Sequence, residues 1–133
     1  LIGAHNRVDI PYICGPHMRH TTLWIVEGEL DALSLAAAGF ASWGIPGAHA
    51  FRAQWCDRLA RDQRVFVVKE ADGATSRAAD EFAQSITRAI HRELGGEWAR
   101  DHLNICSIDA DCGRDCNDLL RAHTLARWCR THT

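Results

Sequence analysis

Lysine and tyrosine are each present only once in this chain of 133 residues, as Lys69 and Tyr12. The other fourteen cationic side chains are arginines. Arginine forks suit phosphate, but a GC-rich genome produces the same bias, and that is the simpler account. No apolar run approaches the length needed to cross a bilayer, and no charged-then-apolar leader precedes a cleavage site. A cytoplasmic domain without a membrane partner is the expectation. The Gly-x-x-x-x-Gly-Lys phosphate loop is missing, which excludes a P-loop ATPase within these residues. A Cys-x-x-Cys zinc pair is missing too.

What is present suits one compact domain. Apolar residues make up 47% of the chain, enough to build a core. The formal net charge of −2 supplies no global attraction for nucleic acid, so such binding needs a local patch or a neighbouring domain. The six cysteines lack the dense spacing of a secreted scaffold and read as free thiols in a reducing compartment. The irregular opening, Leu1 to His20, reads as the end of an upstream region of a longer polypeptide.

Further along, short apolar runs alternate with helical patterns. Leu23–Val26 and Val65–Val68 read as strands, the second apolar at every position as in a strand covered on both faces. Ala41–Gly44 and Leu103–Ile108 are two further strand candidates. In Glu29–Ala38, Leu30, Leu33 and Ala37 fall on one helical face, predicting that face as buried. Phe51–Arg61 has a weaker helical pattern. A long helix is expected from about Ser76 to Leu94, where Ala78, Phe82, Ile86, Ile90 and Leu94 recur every four residues. A last helix is expected over about Asn117 to Cys129. Such alternation indicates an α/β fold with a parallel sheet of about four strands, flanked by helices.

Ligand sites in such sheets lie beyond the carboxyl ends of the strands. Glu27 ends the first strand, Glu70 and Asp72 follow the third, and Asp109, Asp111 and Asp115 follow the fourth. Carboxylates gathered there repel one another and raise each other's pKa values unless a cation intervenes. Magnesium prefers oxygen ligands and bridges protein carboxylates to substrate phosphates. Metals held this way stabilise the attacking and leaving oxygens of an in-line displacement.

The wording around these acids is specific. Val26-Glu27-Gly28-Glu29-Leu30-Asp31-Ala32-Leu33 resembles the first Toprim motif, a strand-ending glutamate with an aspartate four residues on. Val65-Phe66-Val67-Val68-Lys69-Glu70-Ala71-Asp72-Gly73-Ala74 resembles the second, an Asp-x-Asp after an apolar strand, with Glu70 in the first acidic place. Gly113-Arg114-Asp115-Cys116-Asn117-Asp118-Leu119-Leu120 is similar to the glycine-basic-aspartate segment of primase-type Toprim domains. With the Gly-Ile-Pro-Gly turn at 44–47, these segments are most similar to the DNA primases of bacteria, phages, plasmids and mobile elements.

The resemblance implies a Toprim-like, Rossmann-like domain over residues 21–133, preceded by the irregular segment 1–20. It implies Mg2+-dependent nucleotidyl transfer in DNA replication, with Mn2+ able to substitute. Glu27 would be a metal ligand or general acid/base beside the reacting phosphate, and Glu70 and Asp72 would hold the metal. Asp31 and Asp115 would be supporting catalytic acids. The implied partners are a single-stranded DNA template and nucleotides, contacted largely through flanking domains, with a helicase as a further partner. The alternatives are a small Toprim nuclease using the same acids, or a degenerate Toprim domain acting as a binding module. A topoisomerase needs a tyrosine nucleophile, and Tyr12 lies upstream of the domain. Glu70 is one methylene longer than the aspartate usual at its place, Asn117 stands where primases often have an acid, and Thr75 replaces a common glycine.

Several of these residues have simpler roles. Asp31 falls in the first turn of its helix, where the dipole favours a negative charge. Asp115 or Asn117 can cap the last helix. Lys69 should point away from Glu70 and serve as a pairing lysine. Cys14, His17 and His20 can ligate zinc but lack an obvious fourth ligand. The five tryptophans are read mostly as core residues.

Overall fold

The tertiary arrangement comes from a computed structural model, which describes residues 10–17, 22–70, 77–109, 113 and 115–133. Four strands, β2 (Leu23–Glu27), β3 (Ala41–Ile45), β4 (Val65–Lys69) and β5 (Leu103–Ser107), run parallel. Their order in space is β3-β2-β4-β5, so β2 and β4 each have parallel neighbours on both sides. These two are the strands with continuous apolar sequence, because both of their faces are covered. Leu23 and Ile25 point to one side, Trp24 and Val26 to the other, and Val65/Val67 and Phe66/Val68 divide in the same way. The chain is thus α/β with a mostly parallel, Rossmann-like sheet, as the alternating pattern predicts.

A fifth strand, β1 (Tyr12–Cys14), pairs antiparallel with β3 and forms one edge. It lies within the stretch expected to be irregular. Three residues between Pro11 and Gly15 are too few to show a period, so only pairing with β3 defines the strand.

Among the described residues, five helices and one 3-10 turn cover the sheet. On one side lie α2 (Arg77–Leu94), α3 (Gly96–His102) and the 3-10 turn Ala53–Arg58, which stands where a weak helix was expected. Phe82, Ile86 and Ile90 of α2 are buried against the sheet, as their spacing predicts, and Ala78 is exposed. Gly95, with φ +96, ends α2 by donating its N–H to the His91 carbonyl, and α3 begins at once. Lys69 pairs with Asp80 of α2. The other side carries α1 (Glu29–Ala37), α4 (Cys116–Arg121) and α5 (Leu125–His132). The single last helix expected from the sequence is two, broken at His123, whose φ is +60. Trp24, Trp43, Trp55 and Trp128 belong to the two cores.

The orientation of α1 corrects a sequence expectation. Leu30 and Leu33 are 60% and 47% exposed, whereas Asp31, Ala32, Ser34 and Leu35 are buried. Close approach to β3 explains this. Ser42 Oγ donates to the Ala32 carbonyl at 2.8 Å. At Gly44, a Cβ would stand 2.7 Å from the Gly28 carbonyl oxygen and 3.1 Å from Ala32 Cβ. Only the small side of the helix fits, and Leu30 and Leu33 are left outside. Among the described residues, no helix is long and apolar enough to cross a membrane.

Candidate metal centre

The turn after β2 sets the site. Gly28 adopts φ +90, a conformation costly for any residue with a Cβ, and its N–H donates to the Ile45 carbonyl at 2.7 Å. The chain then enters α1 directly and carries Asp31, in the first turn, inward to 4% exposure. Glu70 follows the end of β4. Asp115 is the N-cap of α4, its Oδ1 accepting from the Asp118 N–H at 2.9 Å. One carboxylate oxygen from each of Asp31, Glu70 and Asp115 lies within 4.8 Å of the other two. Among the described residues this is the one such group of three metal-capable side chains.

The electrostatic cost is legible in the individual groups. Burial, then the charge of Asp115, raises the Asp31 pKa, and the N–H groups of Asn117 and Cys116 offset part of that rise. Glu70 is pushed up to about 8 by burial first, then by Asp31, Glu27 and Asp115. Asp31 Oδ1 accepts from the Asn117 N–H at 3.2 Å. Its Oδ2 is buried with no donor. The Asp31 and Glu70 carboxyls are close enough to share a proton, but once both are ionised nothing between them donates. A buried acceptor left this way costs about 1–3 kcal/mol.

These features fit a hard cation. The donor set is all oxygen, compact and anionic, with one buried lone pair unanswered by the protein. A soft metal fits less well, because burial first, then Asp31, holds the adjacent Cys116 thiol well above its ordinary pKa, and its sulfur is not one of the three ligands. His17 Nε2 sits 2.8 Å from the Cys14 carbonyl oxygen. His20 and Cys112 lie outside the described residues.

Of the acids singled out in the sequence, Asp31, Glu70 and Asp115 come together. Glu27 ends β2 half-buried, near enough for its charge to raise Glu70, but it is not one of the three. Asp72 and Asp111 lie outside the described residues, and Asp109 is exposed beyond β5. Asp115 both caps its helix and faces the other acids. Ser34 and Asn117 were not assigned a role at the site. The Ser34 hydroxyl donates to the Leu30 carbonyl at 2.9 Å and lies 3.4 Å from Asn117 Oδ1, joining α1 to α4 behind Asp31. Asn117 thus contributes its backbone N–H where an acid was looked for. No family model, curated protein or solved structure matches the chain.

Proposed function

We propose that this chain is a Toprim-type catalytic domain of a DNA primase, performing Mg2+-dependent nucleotidyl transfer on a single-stranded template. The observation that supports this best is the buried, unanswered Asp31 Oδ2 inside a cluster of three carboxylates at the carboxyl edge of a parallel sheet. Asp31, Glu70 and Asp115 would hold the cation, Mg2+ or Mn2+, with Asp72 as a further ligand from the motif. The bound cation supplies charge neutralisation for the reacting phosphates. Glu27 takes the general acid/base role, exchanging a proton with the attacking or leaving oxygen. Ser34 and the Asn117 N–H keep Asp31 aimed inward. The working compartment is the cytoplasm, in keeping with five described cysteines that are all free.

Asp31→Asn tests the proposal. Calorimetry with Mg2+ or Mn2+ should show binding to the native chain and none to the variant. In the polypeptide that contains this chain, primer synthesis from nucleoside triphosphates should be lost with it. The metal-free variant should also melt at higher temperature, because the substitution removes the cost of burying a charged carboxylate and its repulsion from Asp115. Metal-dependent cleavage without nucleotides would indicate the nuclease alternative. Absence of cation binding by the native chain would end both.

A further inference from the structure

The carboxyl edge of the sheet is acidic and the whole chain carries −2, so a phosphodiester strand needs a separate positive surface to stay near the acids. The end of α4 together with α5 provides one. From Leu119 to Thr133 there are three arginines, two histidines and no acid, which leaves the rest of the chain net acidic. Arg121 lies at the end of α4. Arg127 and Arg130 lie three residues apart on α5, on the side opposite the buried Leu125, Trp128 and Cys129. All three arginines are exposed, and none forms an ion pair with a described acid.

A groove of about 540 Å³ lies beside Arg127, lined also by Thr124, Trp128, Thr131 and His132, with Asp109 from beyond β5 at one side. The Trp128 and His132 rings meet at 4.3 Å, an aromatic wall next to the arginines. The helix α4 ties this face to the acids, because it starts at Asp115 and Asn117 and ends at Arg121. At 1.5 Å per residue its six residues place the basic face roughly 9 Å farther along the helix.

We infer that the α4–α5 face binds the phosphate backbone of a single-stranded nucleic acid and holds it beside the carboxylate centre. The inference rests on the nucleic-acid reading above and names the surface that reading lacks. A membrane fits the face less well. The exposed large apolar side chains among the described residues are Ile10, Tyr12, Ile13, Leu30, Leu33 and Ile105, and none is on α4 or α5 to enter a bilayer.

The test is anisotropy of a labelled oligothymidylate titrated with the full chain in chelator, over a series of salt concentrations. Replacing Arg121, Arg127 and Arg130 together by Gln should weaken binding and lower the log–log salt slope by about 2, roughly 0.7 per lost phosphate contact. Mg2+ binding by calorimetry should be unchanged. Should the triple variant melt early, Arg127→Gln alone should lower the slope by about 0.7. No oligothymidylate binding by the native chain, or an unchanged slope in the variants, would overturn the inference. So would loss of binding to phosphatidylserine vesicles with oligothymidylate binding intact, which would point to a membrane surface. An arginine-dependent slope in a chain that binds no Mg2+ would sink the metal reading and leave this one standing.

Discussion

The two faces of one sheet do different work. The face under α2 and α3 has an apolar core, in which Leu23, Ile25, Val65 and Val67 meet Phe82, Ile86 and Ile90, and its ion pair of Lys69 with Asp80 stays partly exposed. The face under α1, α4 and α5 starts from the same strand alternation with Trp24, Val26, Phe66 and Val68. At its carboxyl edge it also buries Asp31 and gathers Glu70 and Asp115. Burial without charge stabilises the first face. The second gives up some of that stability to hold carboxylates where a cation can answer them. The same sheet can therefore carry a stabilising side and an electrostatically costly side, provided the costly groups sit at strand ends rather than mid-strand.

Phe82→Ala should give the largest effect that separates the two faces. Its side chain is fully buried against β2 and β4, and the truncation should cost about 3–5 kcal/mol in denaturant melts. Cation affinity of the molecules that remain folded should not change. A matching loss of affinity would show that the two faces are not independent.

The pH dependence tests the costly side alone. Glu70, whose ordinary value is 4.5, titrates near 8 in the folded chain, so the folded state holds a proton that the unfolded state releases. The stability this contributes is complete below the unfolded value and is lost as pH rises through about 8. Without metal, melting temperature should fall between about pH 4.5 and about pH 8. Cation binding must displace that proton, so affinity should rise over the same interval. Saturating Mg2+ should flatten the fall in melting temperature. An equal fall with and without Mg2+ would mean that the acids do not hold it.

The smallest expected effect concerns α1. Leu33→Ser should change stability by no more than about 0.5 kcal/mol, since Leu33 is largely exposed. A cost typical of a core leucine would instead restore the buried face that spacing alone suggests.

That case shows where sequence pattern stops. The strands β2 and β4 were legible because apolar runs of four residues between turn signals have few other uses, and β3 and β5 from their places in the alternation with helical patterns. The helix α2 was legible because Phe82, Ile86 and Ile90 repeat at four. The register of α1 was not, since two helical faces competed and the choice was made by Gly44 and Ser42 across the contact with β3. Nor was β1, whose three residues carry no period. The break at His123 was hidden inside a run whose propensities allowed one helix. At the site, Glu70 and Asp115 were legible from their places after strands, whereas Asp31 was singled out only by the resemblance of its segment to the first Toprim motif. That Asp31 and Asp115, far apart in the chain, would meet Glu70 depended on α1 packing against α4 through Ser34 and Asn117. The basic run from Leu119 to Thr133 was present in the sequence but hidden while its arginines were counted into a near-neutral total.

By itself the sequence determined an α/β chain with a parallel sheet and acids at the carboxyl ends of its strands. Alternation and apolar runs are local properties, and strand ends follow from them. Only the tertiary structure decided which acids converge and which side of α1 is buried. Those outcomes depend on distances of a few ångströms between elements remote in sequence, set by which side chains are small enough to let the elements approach.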